Sequence, residues 1–383
     1  MEKPSPIRSP LFRFLRWAFI NLAVTVGLLA LIEGGASFIM AHRLIEEVEP
    51  ADRQGEVAER RHTEYDPLLG WINLPDLVIS NMYGEGRHLT TNGDRMRHRE
   101  EAPGSNQLRV IASGDSFTFG YGVGDDQTWA EQLEDLDPRL DILNMGLGGY
   151  GFGQAYLWYQ RDGRDRPHDL HLFCFITENF RRLTRDRFMG YGKPVLTARD
   201  GQLVVDNVPP PERRASLSAT RFTKAIMDLD IVRLFTERAE QKQASRQKAW
   251  NQKGEETVLL AFSELQRVHQ EAGRPWALVH LPTERDYSDG DSNGWRNWLA
   301  QEATARGWIF LDLVRELRRL PKDQIAGLFI QADEGRYRGS KGHYTEAGNA
   351  WVAGVLSRKL AEHPQLIQLP PKEALAKAEN AAL

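Results

Sequence analysis

Four short stretches of the chain carry residue types that can do chemistry together. Ser116 stands directly after Gly-Asp in "ASGDSFTFGYG" (112–122), where the apolar run "LRVIA" gives out. The stretch "NMGLGGYG" holds Asn144, Gly146, Gly148 and Gly149, and Thr177-Glu178-Asn179 follows "LHLFCFI". His343 lies in "GSKGHYTEAGN", just before a helical pattern. A serine, a histidine and a set of amide donors are what acyl transfer requires, since a base must take the hydroxyl proton and N–H groups must hold the developing oxyanion. Each residue also has a plainer reading. Ser116 could cap the helix that follows, Gly149 could serve only a positive φ, Asn179 could be a turn residue and His343 a surface histidine.

Such residues can meet only if the elements before them end at one edge. Strands are expected at "RVIA" (109–112), "DILN" (141–144), "LHLFCFI" (170–176), "WALVHL" (276–281) and "WIFLD" (308–312). Helical patterns run through "TWAEQLEDL" and "GQAYLWYQR", through "ETVLLAFSELQRVHQEAG" with Val258, Leu259, Phe262, Leu265 and Val268 at helical spacing, and through "TEAGNAWVAGVLSRKLAEH". This alternation predicts a parallel sheet covered by helices on both faces. Reactive groups then collect at the carboxyl ends of its strands, where Ser116, the glycine turn and Asn179 fall. Residues 181–255, rich in Arg, Pro and Gln, read as an excursion, 363–383 as a tail, and the segment from "YDPLLGW" to residue 106 as a small β-rich lead-in.

The 383 residues are 41% hydrophobic, enough for a real core, and carry a formal net charge of -4. That balance speaks against nucleic acid as a partner. The single cysteine, Cys174, sits in an apolar stretch and reads as a core residue. At the N-terminus, residues 1–16 carry Lys3, Arg8, Arg13 and Arg16, and "WAFINLAVTVGLLALIEGGASFIM" (17–40) is long enough to span a bilayer of roughly 30 Å. The basic flank predicts a single-pass anchor in the cytoplasmic membrane with the rest of the chain, a charged stalk first (42–64), outside the cytoplasm. A cleaved signal peptide is the rival reading, although no clean A-x-A site follows.

With these motifs in view, the chain resembles the SGNH/GDSL hydrolases, particularly membrane-anchored bacterial members with a "YDP-LGW" lead-in. "GDSFTFG" is similar to the first block, "NMGLGG" to the glycine block, Asn179 to the asparagine of the third block and His343 to the histidine of the fourth. The resemblance covers 107–362. It implies a three-layer α/β/α flavodoxin-like fold, Ser116 as nucleophile, His343 as base, and an oxyanion held by the Ser116 and Gly149 N–H groups and the Asn179 amide. It implies no cofactor, and the partners would be an acylated glycan, a lipid or a small ester. Two departures stand out. Thr177 and Phe180 hold the places of the usual glycine and aspartate around Asn179, and Ser340 stands where an aspartate normally orients the histidine. A hydroxyl can orient an imidazole but supplies no charge, which leaves Asp333 or Glu334, a bare Ser–His dyad, or a catalytically impaired glycan-binding or envelope-assembly protein. Aromatic residues such as Tyr121, Tyr150 and Trp158 could form a sugar-stacking rim, with core packing the stronger reading for Trp158. "GLGGYG" formally satisfies G-x-G-x-x-G, yet it opens the turn after the second strand and lacks the acidic residue that would close the next one. Phosphate-loop and zinc motifs are absent.

Overall fold

The structure is a computed structural model that describes residues 17–22, 24, 25, 28, 59–97, 107–188, 191–211, 254–288, 292–331 and 339–368. Its chain divides into two compact units, Val57–Arg214 with Lys248–Leu383 and Met1–Glu56 with Ala215–Gln247. The first unit contains the sheet and the site.

Five apolar runs form strands β1 (Leu108–Gly114), β2 (Leu140–Gly146), β3 (Leu170–Phe175), β4 (Trp276–His280) and β5 (Phe310–Asp312). They make one parallel sheet in the order β5-β4-β3-β1-β2. Every residue of β2 and β3 is buried, as parallel strands covered on both sides should be. Strand periodicity splits their side chains between two cores. Ile111, Leu143, Met145, Phe173 and Leu278 pack with helices at Phe152–Trp158 and 254–271, whereas Val110, Ile142, Leu172, Cys174 and Val279 pack with helices at Trp129–Leu136 and Glu346–Glu362. The expected three-layer α/β/α arrangement is therefore present. Cys174 is a buried core residue whose thiol is pushed up by burial, so it holds its proton.

The strand order reverses between β1 and β3, and a crevice at such a switch point is where an open parallel sheet binds its ligand. Gly114 pairs with Gly146 in register, so the Ser116 turn and the glycine turn leave the sheet side by side. Residues of the lead-in then lock both turns. Its hairpin pairs Thr63–Asp66 with Gly70–Asn73, and Asp66 accepts the Leu68 and Leu69 N–H groups and pairs with Arg161. Trp71 Nε1 donates to the Gly148 carbonyl at 3.0 Å. Arg97, buried, donates to Asp125 at 2.9 Å and to the Phe119, Gly120 and Val123 carbonyls at 2.7–2.8 Å. The lead-in thus braces both turns, Trp71 of "YDPLLGW" the glycine turn and Arg97 the loop after Ser116.

Two elements differ from expectation. The helix Asn293–Arg306 went unread because its apolar stripe is weak, with only Leu299 and Ala303 fully buried. The excursion at 181–255 contains a regular hairpin, Val195–Arg199 with Gln202–Asp206, while residues 212–253 lie outside the described set. The expected anchor at 17–40 also lies largely outside it. Residues 17–22 are helical, and among the described residues no helix is long and apolar enough to cross a membrane.

Candidate active site

β1 hands over to a single helical turn, α1 (Ser116–Phe119). Asp115, extended, caps it by accepting the Phe117 N–H at 2.9 Å, and Ser116 is the first helical residue. The cap is therefore Asp115, and the serine hydroxyl is left for other work. A side chain at Gly114 would run into Thr118, so the turn can be this tight only with glycine there. Ser116 Oγ meets His343 Nε2 at 2.7 Å. The imidazole stacks on Phe117 and lies against Tyr121, with ring centroids 4.7 and 5.1 Å away.

The other ring nitrogen faces a main-chain group. His343 Nδ1 lies 3.2 Å from the Ser340 main-chain carbonyl. A carbonyl oxygen only accepts, so Nδ1 carries the proton and the Nε2 lone pair faces the Ser116 hydroxyl. It is this main-chain carbonyl, and not the Ser340 hydroxyl, that sets the tautomer. Asp333 and Glu334 lie outside the described residues. Burial lowers the His343 pKa to about 4; the Ser340 carbonyl works against that, and the Arg182 charge adds to it. The imidazole is neutral at pH 7 and ready to accept a proton. Ser340→Ala keeps the carbonyl, so kcat for a simple acetyl ester is expected to stay within about threefold of wild type, about 0.7 kcal/mol on the activation scale. A loss of tenfold or more in steady-state assays would return the role to the hydroxyl.

The oxyanion side is built from the loops after β1, β2 and β3. Gly149 has φ +77°, and a Cβ there would sit 2.8 Å from Phe188, so both conformation and space demand glycine. Among the described residues neither the Ser116 nor the Gly149 N–H is given to another acceptor. Asn179 is placed beside them but is engaged. Its Oδ1 accepts the Ile176 N–H at 2.8 Å, and its Nδ2 lies 2.8 Å from Asp115 Oδ2 and 3.1 Å from the Tyr150 carbonyl. An amide has two hydrogens to give, so in this arrangement both have acceptors within the protein. Asp115, fully buried, has its pKa raised by burial, against which Arg182 and the Asn179 hydrogen bond act. Arg182, which no motif singles out, reaches the same Tyr150 carbonyl through Nη1 at 3.2 Å.

The aromatic rim is a correction for Tyr121 and Tyr150, while Trp158 takes the core place expected of it. Tyr121, Tyr150 and Trp158 are 4%, 0% and 0% exposed, so none can stack on a ligand from the surface. Tyr150 instead donates its hydroxyl to the Trp71 carbonyl at 2.7 Å. A cavity of about 570 Å³ reaches Gly342, the residue before His343, and its wall also includes Thr177, Arg182, Thr283, Asp286 and Lys341. Every residue lining it is polar, charged or glycine.

No family model matches the chain, and no curated protein does. Solved structures do. The chain is similar to GDSL-type lipolytic proteins. One, a member of the lipolytic protein G-D-S-L family from Veillonella parvula, is 14% identical, with 66% of this chain and 96% of that one covered and a TM-score of 0.33. A lipase/acylhydrolase from Enterococcus faecalis is 13% identical over 67% and 97%, with a TM-score of 0.35. An acetyl xylan esterase is 16% identical over 65% and 98%, with a TM-score of 0.36. At such scores the site has to be read from its own geometry.

Proposed function

We propose that the chain is a serine acyl hydrolase of the SGNH/GDSL type that cleaves short-chain esters of a hydroxyl-rich alcohol, O-acetylated glycans foremost. The observation that carries this reading is the 2.7 Å contact of Ser116 Oγ with a neutral, tautomer-fixed His343 at the switch point of the sheet. Ser116 Oγ bonds to the acyl carbon while its proton passes to His343 Nε2 and the carbonyl π pair moves onto oxygen. Collapse of that intermediate breaks the bond to the alcohol, which takes the proton from Nε2. Water then repeats the sequence on the acyl-serine and releases the carboxylic acid.

The cavity supports the choice of alcohol. A long apolar chain laid along Arg182, Asp286 and Lys341 would strip water from charged groups without replacing their hydrogen bonds, a cost of several kcal/mol. A sugar supplies those bonds. Acetylated sugars are therefore expected to be turned over at least about tenfold more efficiently, in kcat/KM, than a palmitoyl ester presented as monomer, a difference of about 1.4 kcal/mol. Equal efficiency would overturn the assignment of alcohol and acyl length. The finer reading keeps residues 17–40 as an anchor with the domain outside the cytoplasm, where envelope glycans would be met. A reporter fused after Leu383 that is active in the cytoplasm would overturn that part.

A non-catalytic glycan-binding or assembly protein is the second reading, favoured by the carbonyl in place of a carboxylate behind His343. Labelling of Ser116 by a fluorophosphonate probe separates the two.

A further inference from the structure

The cavity and the surroundings of Gly149 differ in chemistry. The cavity wall is polar, charged or glycine throughout, whereas the groups that crowd Gly149 are rings. A Cβ built on Gly149 would lie 2.8 Å from both Cδ1 and Cε1 of Phe188 and 3.4 Å from Cζ2 of Trp71. Phe188, half-buried, thus packs directly against the residue whose N–H faces the acyl oxygen in the proposed mechanism.

The Phe188 ring is held from several directions. Arg187–Phe188 pairs with Tyr191–Gly192 in a short antiparallel ladder that sets Phe188 opposite Tyr191, and the Tyr191 ring lies 5.4 Å from that of Trp71. Trp71 is tied to the same glycine turn by its bond to the Gly148 carbonyl. The Arg182 guanidinium lies over Phe188, 4.4 Å from the ring centroid. Just past the ladder, Lys193 is buried and gives Nζ to the carbonyls of Arg182, Arg185 and Pro194 at 2.9–3.2 Å. Three donors meet three acceptors, which satisfies the ammonium and pins the ladder to the loop after Asn179.

We infer that Phe188 is a specificity-determining residue: its ring, held against Gly149, closes the acyl side of the site and limits the acyl group to about the size of acetyl. The inference rests on reading Ser116 as the nucleophile and Gly149 as an oxyanion donor. In the tetrahedral intermediate the acyl carbon carries Ser116 Oγ, the oxyanion, the alcohol oxygen and the acyl chain. With the oxyanion at the Gly149 N–H, the alcohol and the acyl chain leave in different directions. The polar cavity can replace the hydrogen bonds that a hydroxyl-rich alcohol gives up to water, so the apolar acyl group is left with the aromatic side. A methyl group gains contact with the ring there. A longer chain meets a ring already backed by the Arg182 guanidinium.

The test is a series of p-nitrophenyl esters, acetate, butyrate and hexanoate, turned over by the whole protein. Wild type is expected to favour acetate. Phe188→Ala should raise the butyrate-to-acetate ratio of kcat/KM by roughly tenfold or more, the size that a methylene in an apolar pocket commands. Phe188→Leu should move the ratio the same way by less, and serves if the alanine variant does not fold. At constant acyl group, the ratio of kcat/KM for glucose pentaacetate to that for phenyl acetate should stay within about twofold of its wild-type value. A folded variant whose butyrate-to-acetate ratio stays within twofold of wild type would overturn the inference. So would an equal fall of kcat with all three acyl esters, the mark of a ring that merely supports Gly149. A shift confined to the alcohol ratio would overturn it too, by putting Phe188 on the other side. A folded wild type with neither ester turnover nor labelling of Ser116 would instead overturn the nucleophile on which the inference rests.

Discussion

Ser116→Ala is expected to lower turnover of p-nitrophenyl acetate by roughly 10⁴-fold or more and to abolish fluorophosphonate labelling. The hydroxyl is the one atom positioned to bond to substrate, and its partner is His343 Nε2. Because the two act as a unit, Ser116→Ala/His343→Ala should be no slower than either single variant, whereas independent contributions would multiply. Folding is not at stake. Asp115, not Ser116, caps α1, and a single lost hydrogen bond is worth about 1 kcal/mol, which for a domain of this size shifts the thermal midpoint by roughly 2–4 °C. Steady-state rates, intact-mass labelling and thermal melts on the three variants check this. Labelling that persists in Ser116→Ala, or a folded wild type that does not label, would remove the serine from the mechanism.

The second large effect is on stability. Between pH 8 and pH 5.5 the folded state is expected to lose several kcal/mol, and to melt far earlier at the lower pH. The cause is a set of buried histidines. Burial lowers His62, His168 and His343 to about 4 and His269 to about 3, and holds His171 and His280 below their usual value as well. Three of them, His168, His171 and His269, cluster around Tyr159. Ser113 Oγ meets His171 Nε2 at 2.8 Å, His171 Nδ1 meets His269 Nε2 at 3.0 Å, and Tyr159 lies flat on His171 at 3.6 Å while reaching His168 with its hydroxyl at 3.1 Å. The sign follows from where protons bind. An unfolded histidine takes one near pH 6.5, while the folded ones refuse it until about pH 4, so between those values the unfolded state binds more protons and acid favours it. The groups lowered to 3 or 4 each forgo on the order of 1 kcal/mol by pH 5.5, a sizeable part of the roughly 5–15 kcal/mol typical of a domain. Asp115 and Glu255 act in the opposite sense, since burial raises both and makes their charges costly at neutral pH, but they are fewer than the histidines. Melts from pH 8 to 5 check this, and a midpoint that is flat across that range would sink it. A consequence for enzymology is that acid inactivation would reflect unfolding before His343 itself titrates.

The central layout could be read from residues alone because local patterns produce it. Long buried runs such as "LHLFCF" and the alternation of strands with helices force a parallel sheet, and short turns after β1 and β2 hold Ser116 and Gly149 at its edge. The choice of Ser116 and His343 followed from residue type and place in that order. What the sequence left open were identities of partners. Ser340 was weighed for its side chain, yet the group that meets His343 is a main-chain carbonyl, which every residue has and no letter reveals. Trp71 and Arg97 belong to a lead-in with no chemistry of its own, and only folding brings the first to the Gly148 carbonyl and the second to the loop after Ser116. Tyr121, Tyr150 and Trp158 suggested a sugar-binding rim by type, but whether an aromatic ring faces solvent depends on what packs over it, and here all three are covered. Asn179 and Arg182 show the division most sharply. The sequence marked the asparagine by its position, and the tertiary structure decided that its amide and the Arg182 guanidinium meet at the Tyr150 carbonyl, because hydrogen-bond partners are settled by groups distant along the chain.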